Sequence, residues 1–348
     1  MIRTFIALSF VALFGFVGRL AFYAYAPVGG ESQSVDFLVS PGSSFHVVSK
    51  KLEESGLVRS PLEFKVVAKL FGFTQSIRVG EYSLDASMSP LTILKTLSSG
   101  ISKTYSLTIP EGLNMYEIAN LIEQKGYGRA DTFLELCQNQ AYIKQLTGQA
   151  LPSLEGYLFP ETYLITRFTK EQDLVQLMFE NFKNTFSEVQ GRGEALGLSD
   201  HEVVILASII EKETGAPFER ALISSVFHNR LKKGMRLQTD PTVIYGVLDR
   251  TGQMTKNITK KDLKTKDRYN TYTFKGLPFG PIANPGQQAL QAAVQPKESD
   301  YLFFVSRNDG THVFTTKYSD HQQAVQKFQL DRSMRQGRSW RDLNKKAN

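Results

Sequence analysis

An unbroken run of apolar and small side chains, VVILASII at residues 203–210, lies in the middle of the chain. Ser199 and Glu202 have the spacing of a capping box just before the run, and Gly215 follows it. These signals predict one helix over residues 200–214. Because this helix is apolar nearly all round, it has to lie inside the protein, and a domain has to be built around it.

The charged stretch EKET ends this helix and contains two glutamates, Glu211 and Glu213. At about 100° per residue they point about 200° apart, so they cannot be a paired acid and base on one substrate. Glu211 shares a face with Ser208. At the last turn of a buried helix, burial and the helix dipole both disfavour the charged form of Glu211, which suits a general acid. The alternative is a surface glutamate paired with Lys212 or Arg220, and position alone favours this alternative.

A second apolar run, TFIALSFVALFGFVGRLAFYAYAPV at residues 4–28, carries a single charge, Arg19. It is about long enough to cross the roughly 30 Å hydrocarbon layer as a helix. Arg3 precedes it, which favours a cytoplasmic N-terminus and an exported body. A cleaved signal peptide is the alternative, because AYA at residues 24–26 has the A-x-A form, but Pro27 is a poor context for cleavage. We therefore expect a retained single-pass membrane anchor.

Composition limits the chemistry that the chain can perform. The formal net charge of +7 favours an acidic partner, but an exported body would not meet nucleic acid, so we expect no nucleic-acid binding. The single cysteine, Cys137, excludes an intrachain disulfide and a cysteine metal cluster, and we expect it to be a small buried side chain. The five histidines lack H-E-x-x-H spacing, and neither a G-x-S-x-G elbow nor a phosphate loop occurs, so no metal or cofactor is expected.

A weak internal repeat follows the first segment at an offset of 70 residues. Residues 40–60, SPGSSFHVVSKKLEESGLVRS, predict a turn and an amphipathic helix, and residues 110–129, PEGLNMYEIANLIEQKGYGR, repeat the pattern. The shared glycines favour two copies of a strand–turn–helix unit over ordinary helix periodicity. The size and pattern are those of a small glycan-binding module of the LysM type. The paired positions are Gly42 and Gly112, Val48 and Ile118, Leu52 and Ile122, Glu53 and Glu123, Gly56 and Gly126, and Arg59 and Arg129.

Other patterns predict both helices and strands. Residues 79–84, VGEYSL, favour a strand, and residues 89–100 favour a helix with Ser at its N-cap and Gly just past its end. Residues 301–316 have the pattern of a β-hairpin. A late helix is predicted to open with a capping box of Ser319 and Gln322.

These elements predict an α+β fold with an N-terminal transmembrane helix, a small LysM-like module and a larger mixed α/β catalytic domain. We expect four regions along the chain. They are residues 1–28, the cytoplasmic start and anchor; residues 29–103, a linker and the LysM-like module; residues 104–331, the catalytic domain with a second LysM-like unit at its start; and residues 332–348, a basic tail.

Two segments, residues 227–246 and 267–286, combine hydroxyl and amide groups with aromatic side chains. Sugar binding needs this combination, although generic loops also use Asn, Thr, Gly and Pro. The candidate substrate-binding residues are Asn229, Gln238, Thr239, Asp240, Tyr245, Asn270 and Tyr272.

Six segments together resemble the YceG-like family of endolytic murein (peptidoglycan) transglycosylases, the MltG type. The resemblance extends from the apolar N-terminal run to about Leu330. The segments are LEGYLFPETY at residues 154–163, ASIIEKET at 207–214, SVFHNRL at 225–231, GMRLQTDPTVIYG at 234–246, YNTY at 269–272 and GLPFGPIANPG at 276–286.

The resemblance implies that Glu211, from the EKET motif, is the catalytic acid, which leaves Glu213 as a structural or supporting group. Glu211 would protonate the oxygen between N-acetylmuramic acid (MurNAc) and N-acetylglucosamine (GlcNAc). As carboxylate it would then take the proton of the muramic acid C6 hydroxyl, closing a 1,6-anhydro ring without water or a second carboxylate. Residues expected to hold the sugars and stabilise the oxocarbenium charge are Gln238, Thr239, Asp240, Asn270 and Tyr272.

The same resemblance implies the biological setting. We expect peptidoglycan glycan strands as substrate, peptidoglycan synthases as protein partners, and a role in terminating glycan elongation. The expected location is the cell (inner) membrane, with the catalytic body periplasmic or extracytoplasmic. The alternative is a non-catalytic peptidoglycan-binding scaffold that positions cell-wall synthases.

Overall fold

The computed structural model describes residues 2–29, 34–255 and 257–331, with side chains from residue 9 onward. The predicted basic tail, residues 332–348, lies outside the described residues. In chain order the elements are α1 Ile2–Tyr25, β1 Ser34–Val39, α2 Phe45–Glu54, α3 Pro61–Leu70, β2 Gly80–Asp85, α4 Pro90–Ser99, β3 Tyr105–Thr108, α5 Met115–Gln124, α6 Ala130–Gln138, α7 Gln140–Thr147, β4 Thr162–Ile165, α8 Glu171–Phe186, α9 Asp200–Glu213, α10 Arg220–Lys232, α11 Asp240–Thr251, α12 Lys260–Lys264, α13 Gln287–Val294, β5 Phe303–Ser306, β6 His312–Thr315 and α14 Tyr318–Val325. Short helical turns occupy Glu194–Leu196, Pro217–Glu219 and Gln326–Leu330.

The fold is mixed α/β, and its strands pair two by two as β1–β2, β3–β4 and β5–β6. The chain forms two compact units. Unit 1 contains the residues up to Leu107 together with Tyr163–Thr169, and unit 2 contains Thr108–Thr162 and the residues from Lys170 onward.

Unit 1 is organised around the antiparallel β1–β2 pair, in which Ser34 lies opposite Asp85 and Val39 opposite Gly80. The predicted strand in VGEYSL is therefore confirmed as β2. The predicted amphipathic helix is α2, and the predicted N-cap and C-terminal glycine of α4 are present. Apolar side chains of α2, α3, α4 and both strands form one core.

The C-terminal part of α1 belongs to this core. Tyr23 and Ala24 are only 5% and 2% exposed, and the Tyr23 hydroxyl donates a 2.8 Å hydrogen bond to the carbonyl of Ser60. The guanidinium of Arg59 donates to the carbonyls of residues 27 and 28. These two hydrogen bonds hold the chain directly after α1 against Arg59. Residues 30–33 of the predicted linker lie outside the described residues.

A membrane span is predicted over residues 4–28, and α1 covers most of this stretch. Of the helices that can be judged from described residues, none combines the length and the apolar character needed to cross a membrane.

The two copies of the sequence repeat share the same order of elements, a strand followed by two helices. The first copy is β1, α2 and α3, and the second is β3, α5 and α6. Ser44 and Asn114 occupy equivalent N-caps of α2 and α5, and both side chains accept a backbone N–H of the first turn. Gly42 and Gly112 precede these caps with φ of +75° and +77°, a conformation that favours glycine. The repeat therefore extends from the sequence to the backbone.

Unit 2 is built around α9, as the apolar run predicts. All eight residues of the run are buried. Ser199 and Glu202 form the predicted capping box, each side chain accepting the backbone N–H of the other. Helices α10, α11 and α13 pack against α9. The apolar faces of these helices exclude water from every side of the run.

The C-terminal part of unit 2 contains the predicted hairpin, β5–β6, in which Phe303 pairs with Thr315. The predicted capping box of the last helix is wrong. Helix α14 begins at Tyr318, so Ser319 lies inside its first turn, and the Ser319 hydroxyl instead contacts Asp320.

Replacing Tyr23 with Ala should weaken unit 1 by about 3 kcal/mol, because it leaves a cavity in the core and removes the hydrogen bond to the Ser60 carbonyl. Tyr25→Ala is the matched control, since Tyr25 is on the same helix but is 63% exposed. Hydrogen–deuterium exchange of the α3 and α4 amides measures the change. Equal protection in the two variants would contradict the packing of α1 in this core.

Candidate active site

Glu211 lies at the last turn of α9, and its side chain is only 6% exposed. One carboxylate oxygen accepts a 3.0 Å hydrogen bond from Arg220, and the other accepts a 3.0 Å bond from the backbone N–H of Gly286. Arg220 is itself buried and also lies 3.5 Å from Glu111. The alternative pairing with Arg220 is thus present, but in the interior and not on the surface. Arg220 supplies a positive charge that offsets the burial of the carboxylate. The prediction from burial and the helix dipole did not include this charge.

The segment that carries Gly286 runs along the face of α9 that Glu211 shares with Ser208. The Ser208 hydroxyl accepts the backbone N–H of Ile282 at 3.1 Å, which confirms the predicted shared face. A Cβ at position 286 would collide with the carboxylate of Glu111, so a larger residue there would require the Glu111 side chain to move. Glu211 therefore fastens this segment to α9.

A second buried carboxyl group, Glu155, also binds the segment that carries Gly286. Its oxygens accept from the N–H of Met115, the hydroxyl of Tyr245 and the amide of Asn284, at 3.1, 2.9 and 3.0 Å. Burial raises the pKa of Glu155 to about 8, although the hydrogen bonds from Met115 and Tyr245 oppose the shift. Asn284 also donates to the carbonyl of Leu113, so one buried group joins three stretches of unit 2.

Glu213 has a different environment from Glu211, and the two carboxyl groups have different partners among the hydrogen bonds of the described residues. The hydroxyl of Thr239 donates to Oε1 of Glu213. Desolvation raises the pKa of Glu213 to about 7; the Thr239 bond and the charge of Arg230 oppose this shift, and Asp240 adds to it. A carboxyl group with this pKa is protonated for a large part of the time near neutral pH.

Four of the predicted sugar-binding residues form one cluster with Glu213. Thr239 contacts it directly, and Gln238 and Asp240 flank Thr239 with exposed side chains. Asp240 begins α11 and accepts a 2.6 Å hydrogen bond from the hydroxyl of Tyr272. Gln238 has φ of +49°, a strained conformation for a residue other than glycine, and such strain is concentrated at functional sites.

The other three predicted residues are engaged in contacts within the fold. Asn229 donates to the carbonyls of Ser299 and Tyr301, and Tyr245 donates to Glu155. Asn270 is fully buried, donates to the backbone carbonyls of Asp262, Leu263 and Thr265 at the end of α12, and accepts the backbone N–H of Tyr272. Asn270 therefore supports the cluster through the loop that carries Tyr272.

Sequence reasoning assigned no role to Glu155 or to the pairing of Thr239 with Glu213. A single carboxylate inside the apolar stretch SLEGYLF is a signal that could have identified Glu155 as a buried polar group. No local pattern indicates the contact between Thr239 and Glu213, since they lie 26 residues apart.

Comparisons with known proteins agree on one family. A model of the YceG-like family matches residues 37–327. A Bacillus subtilis (strain 168) protein named endolytic murein transglycosylase is 31% identical over 319 residues, which cover 87% of each chain. A Streptococcus pneumoniae (strain D39) protein of the same name is 30% identical over 82% of this chain and 57% of its own length. The crystal structure of a yceG-like protein from Listeria monocytogenes superposes with a TM-score of 0.57 at 28% identity, covering 84% of this chain and all of that one.

Glu211→Gln should destabilise the fold, whereas Glu213→Gln should not. Glu211→Gln removes the charge that pairs with buried Arg220 and should cost about 3 kcal/mol. Glu213→Gln should not destabilise the fold, because the amide resembles the protonated carboxyl group. Thermal unfolding of both variants beside the wild type tests this, and a larger loss for Glu213→Gln would contradict it.

The effect of Glu213 on stability should depend on pH. Its folded pKa, about 7, is above the usual value of 4.5, so its stabilising contribution is complete below about pH 4.5 and is lost as pH rises through about 7. The stability of Glu213→Gln relative to wild type should therefore rise from pH 4.5 to 7 and then level off. Glu155 is present in both proteins, so its own pH-dependent contribution cancels when the two stabilities are subtracted. A difference that does not change with pH would contradict the shifted pKa.

Proposed function

The chain belongs to the YceG-like family, and we propose that it is an endolytic murein transglycosylase that cuts the MurNAc–GlcNAc bond of peptidoglycan strands and leaves 1,6-anhydro ends. The names of the Bacillus and Streptococcus relatives support this substrate and reaction. The observation that carries the proposal is the carboxyl group of Glu213, whose raised pKa suits an acid and which lies among hydroxyl, amide and aromatic groups.

One carboxyl group is enough for this reaction. The acid gives its proton to the glycosidic oxygen as the bond from C1 of MurNAc to that oxygen breaks. The C6 hydroxyl oxygen of the same sugar then bonds to C1, and its proton passes to the carboxylate. The acid ends in its starting state, and no water is consumed.

Of the two glutamates of EKET, we assign this role to Glu213, whereas the family resemblance alone suggested Glu211. Both oxygens of Glu211 are occupied, one by a buried arginine and one by a backbone N–H. Partners within the fold therefore occupy both of the oxygens from which a proton would have to be transferred. Among the hydrogen bonds of the described residues, Glu213 has one partner, Thr239 at Oε1, so Oε2 is the oxygen left for a substrate, and the residues on either side of Thr239 are exposed.

The neighbours of Glu213 suit a positively charged transition state. Asp240 is a carboxylate held in place by the hydroxyl of Tyr272, and it would stabilise the oxocarbenium charge at C1. Gln238 and the ring of Tyr272 would bind sugar hydroxyls and a sugar face. These roles follow from the chemistry of the side chains and from their position beside the acid.

The proposed enzyme acts outside the cytoplasm, anchored by its N-terminal segment, where it would terminate glycan elongation beside peptidoglycan synthases. The packing of Tyr23 and Ala24 favours an anchor that is retained, because cleavage after residue 26 would remove two residues of the unit 1 core. Unit 1, as a LysM-like module, would bind the glycan strand. The repeated strand–helix–helix order supports this role.

Glu213→Gln should lower the release of 1,6-anhydromuropeptides from purified glycan strands by 10²- to 10⁴-fold, about the contribution of a general acid. Glu211→Gln is the matched control: the molecules that remain folded should lose far less activity than Glu213→Gln, because the ion pair of Glu211 supports the site without transferring a proton. Anhydromuropeptides are measured by mass spectrometry, and rates are divided by the folded fraction. Loss of activity in folded Glu211→Gln alone would return the acid to Glu211. A wild-type protein that binds strands without cutting them would support the scaffold alternative.

The pH dependence of cleavage should also follow Glu213. Because the acid has to be protonated for the first step, kcat/KM should fall about tenfold per pH unit above about pH 7. Glu211→Gln should keep this profile. A profile that remains flat up to pH 9 would exclude a titrating acid with the pKa of Glu213.

A further inference from the structure

Three threonines beside the proposed acid are buried, with exposures of 2% for Thr239 and 0% for Thr242 and Thr271. The backbone N–H of Thr239 donates to the hydroxyl oxygen of Thr271 at 3.1 Å. The hydroxyl of Thr242 donates to the backbone carbonyl of Thr239 at 2.7 Å, and the hydroxyls of Thr242 and Thr271 lie 2.9 Å apart. The three contacts form a closed ring around the backbone of Thr239.

The directions of these hydrogen bonds follow from the number of protons. A hydroxyl group has one proton to donate. Thr242 gives its proton to the carbonyl of Thr239, so in the contact between Thr242 and Thr271 the donor has to be Thr271. Both protons are thereby used within the ring. The hydroxyl of Thr239 takes no part in the ring, and it lies against Oε1 of Glu213.

From this geometry we infer that Thr239 is a positioning residue: by donating its hydroxyl proton to Oε1 of Glu213, it assigns the catalytic proton to Oε2. The inference rests on the proposed function, in which Glu213 is the acid. The threonine ring fixes the backbone from which the hydroxyl points, so the donor is set before substrate binds. Its benefit is that the acid presents one oxygen, in one orientation, to the glycosidic bond.

The assignment has a consequence for each proton transfer. The proton on Oε2 moves to the glycosidic oxygen while Oε1 stays bound to Thr239. The negative charge left on the carboxylate is stabilised by the same hydrogen bond. The proton of the C6 hydroxyl then returns to Oε2. Thr239 neither gains nor loses a proton in the cycle.

Removing the hydroxyl with Thr239→Val tests the inference against Thr239→Ser, which keeps it. For Thr239→Val, kcat should fall about 10²-fold, as expected for a misplaced catalytic group, and the alkaline limb of the kcat/KM profile should move to higher pH because a donor to the carboxylate is lost. Thr239→Ser should restore both. Thr273→Val is the control, since its hydroxyl bonds the carbonyl of Asn270 in the same region; it should leave kcat and the pH profile unchanged.

Several results would overturn the inference. One is a Thr239→Val enzyme with wild-type kcat and pH profile; another is an equal loss in the Val and Ser variants without a pH shift, which indicates packing alone. If Thr239→Val does not fold, Thr239→Ala takes its place, and its kcat and pH profile are compared with those of Thr239→Ser by the same criteria. A fully active Glu213→Gln would overturn the assignment of the acid and this inference together, whereas an inactive Glu213→Gln beside a normal Thr239→Val would overturn this inference alone.

Discussion

The burial of α9 on all sides is the constraint on which the site depends. A helix with eight consecutive buried residues cannot present its C-terminal carboxyl groups freely to solvent, so each group needs its own compensation. Among the described contacts, Arg220 pairs directly with Glu211, whereas Glu213 has the Thr239 hydroxyl as its hydrogen-bond partner and the charge of Arg230 without a direct ion pair. A directly paired cation stabilises a buried carboxylate more than one neutral hydrogen bond does. The same helix therefore contains one carboxyl group suited to structure and one suited to proton transfer.

The ion pair of Glu211 also orders what surrounds the site. It joins α9 to the start of α10 and to the backbone before α13. Glu155 and Asn284 hold the other end of that segment. These are contacts between distant parts of unit 2, and they give the central helix fixed neighbours. A rigid support of this kind is what a catalytic group requires, because small displacements of the group are costly in rate.

Features set by neighbours in sequence could be predicted, and those set by distant neighbours could not. The capping box of α9, the N-cap of α4 and the β5–β6 hairpin follow from spacing within a few residues, and all three are present. The 200° separation of the two glutamates is also local geometry. Glu211 contacts Arg220 and Glu213 contacts Thr239 because of the way α10 and α11 pack against α9. No local sequence pattern contains that information. The loop composition identified the polar cluster around Thr239, but it could not separate exposed side chains from those, like Asn270, that bond the backbone.

The local preferences of side chains and backbone are violated most clearly around Glu213. Its carboxyl group is desolvated and has no ion-pair partner within the part of the chain that the structure describes, and Gln238, next to Thr239, has a positive φ. Each of these features lowers stability, and each is retained where the rest of unit 2, with its capped helices and buried apolar run, is locally consistent. Glu211 shows that the fold can supply an arginine to a carboxylate two residues away. The absence of such a cation among the hydrogen-bond partners described for Glu213 is therefore a property of this position and not of the helix. A carboxyl group left without that partner keeps a pKa near neutrality, and this is the property that an acid acting at physiological pH requires.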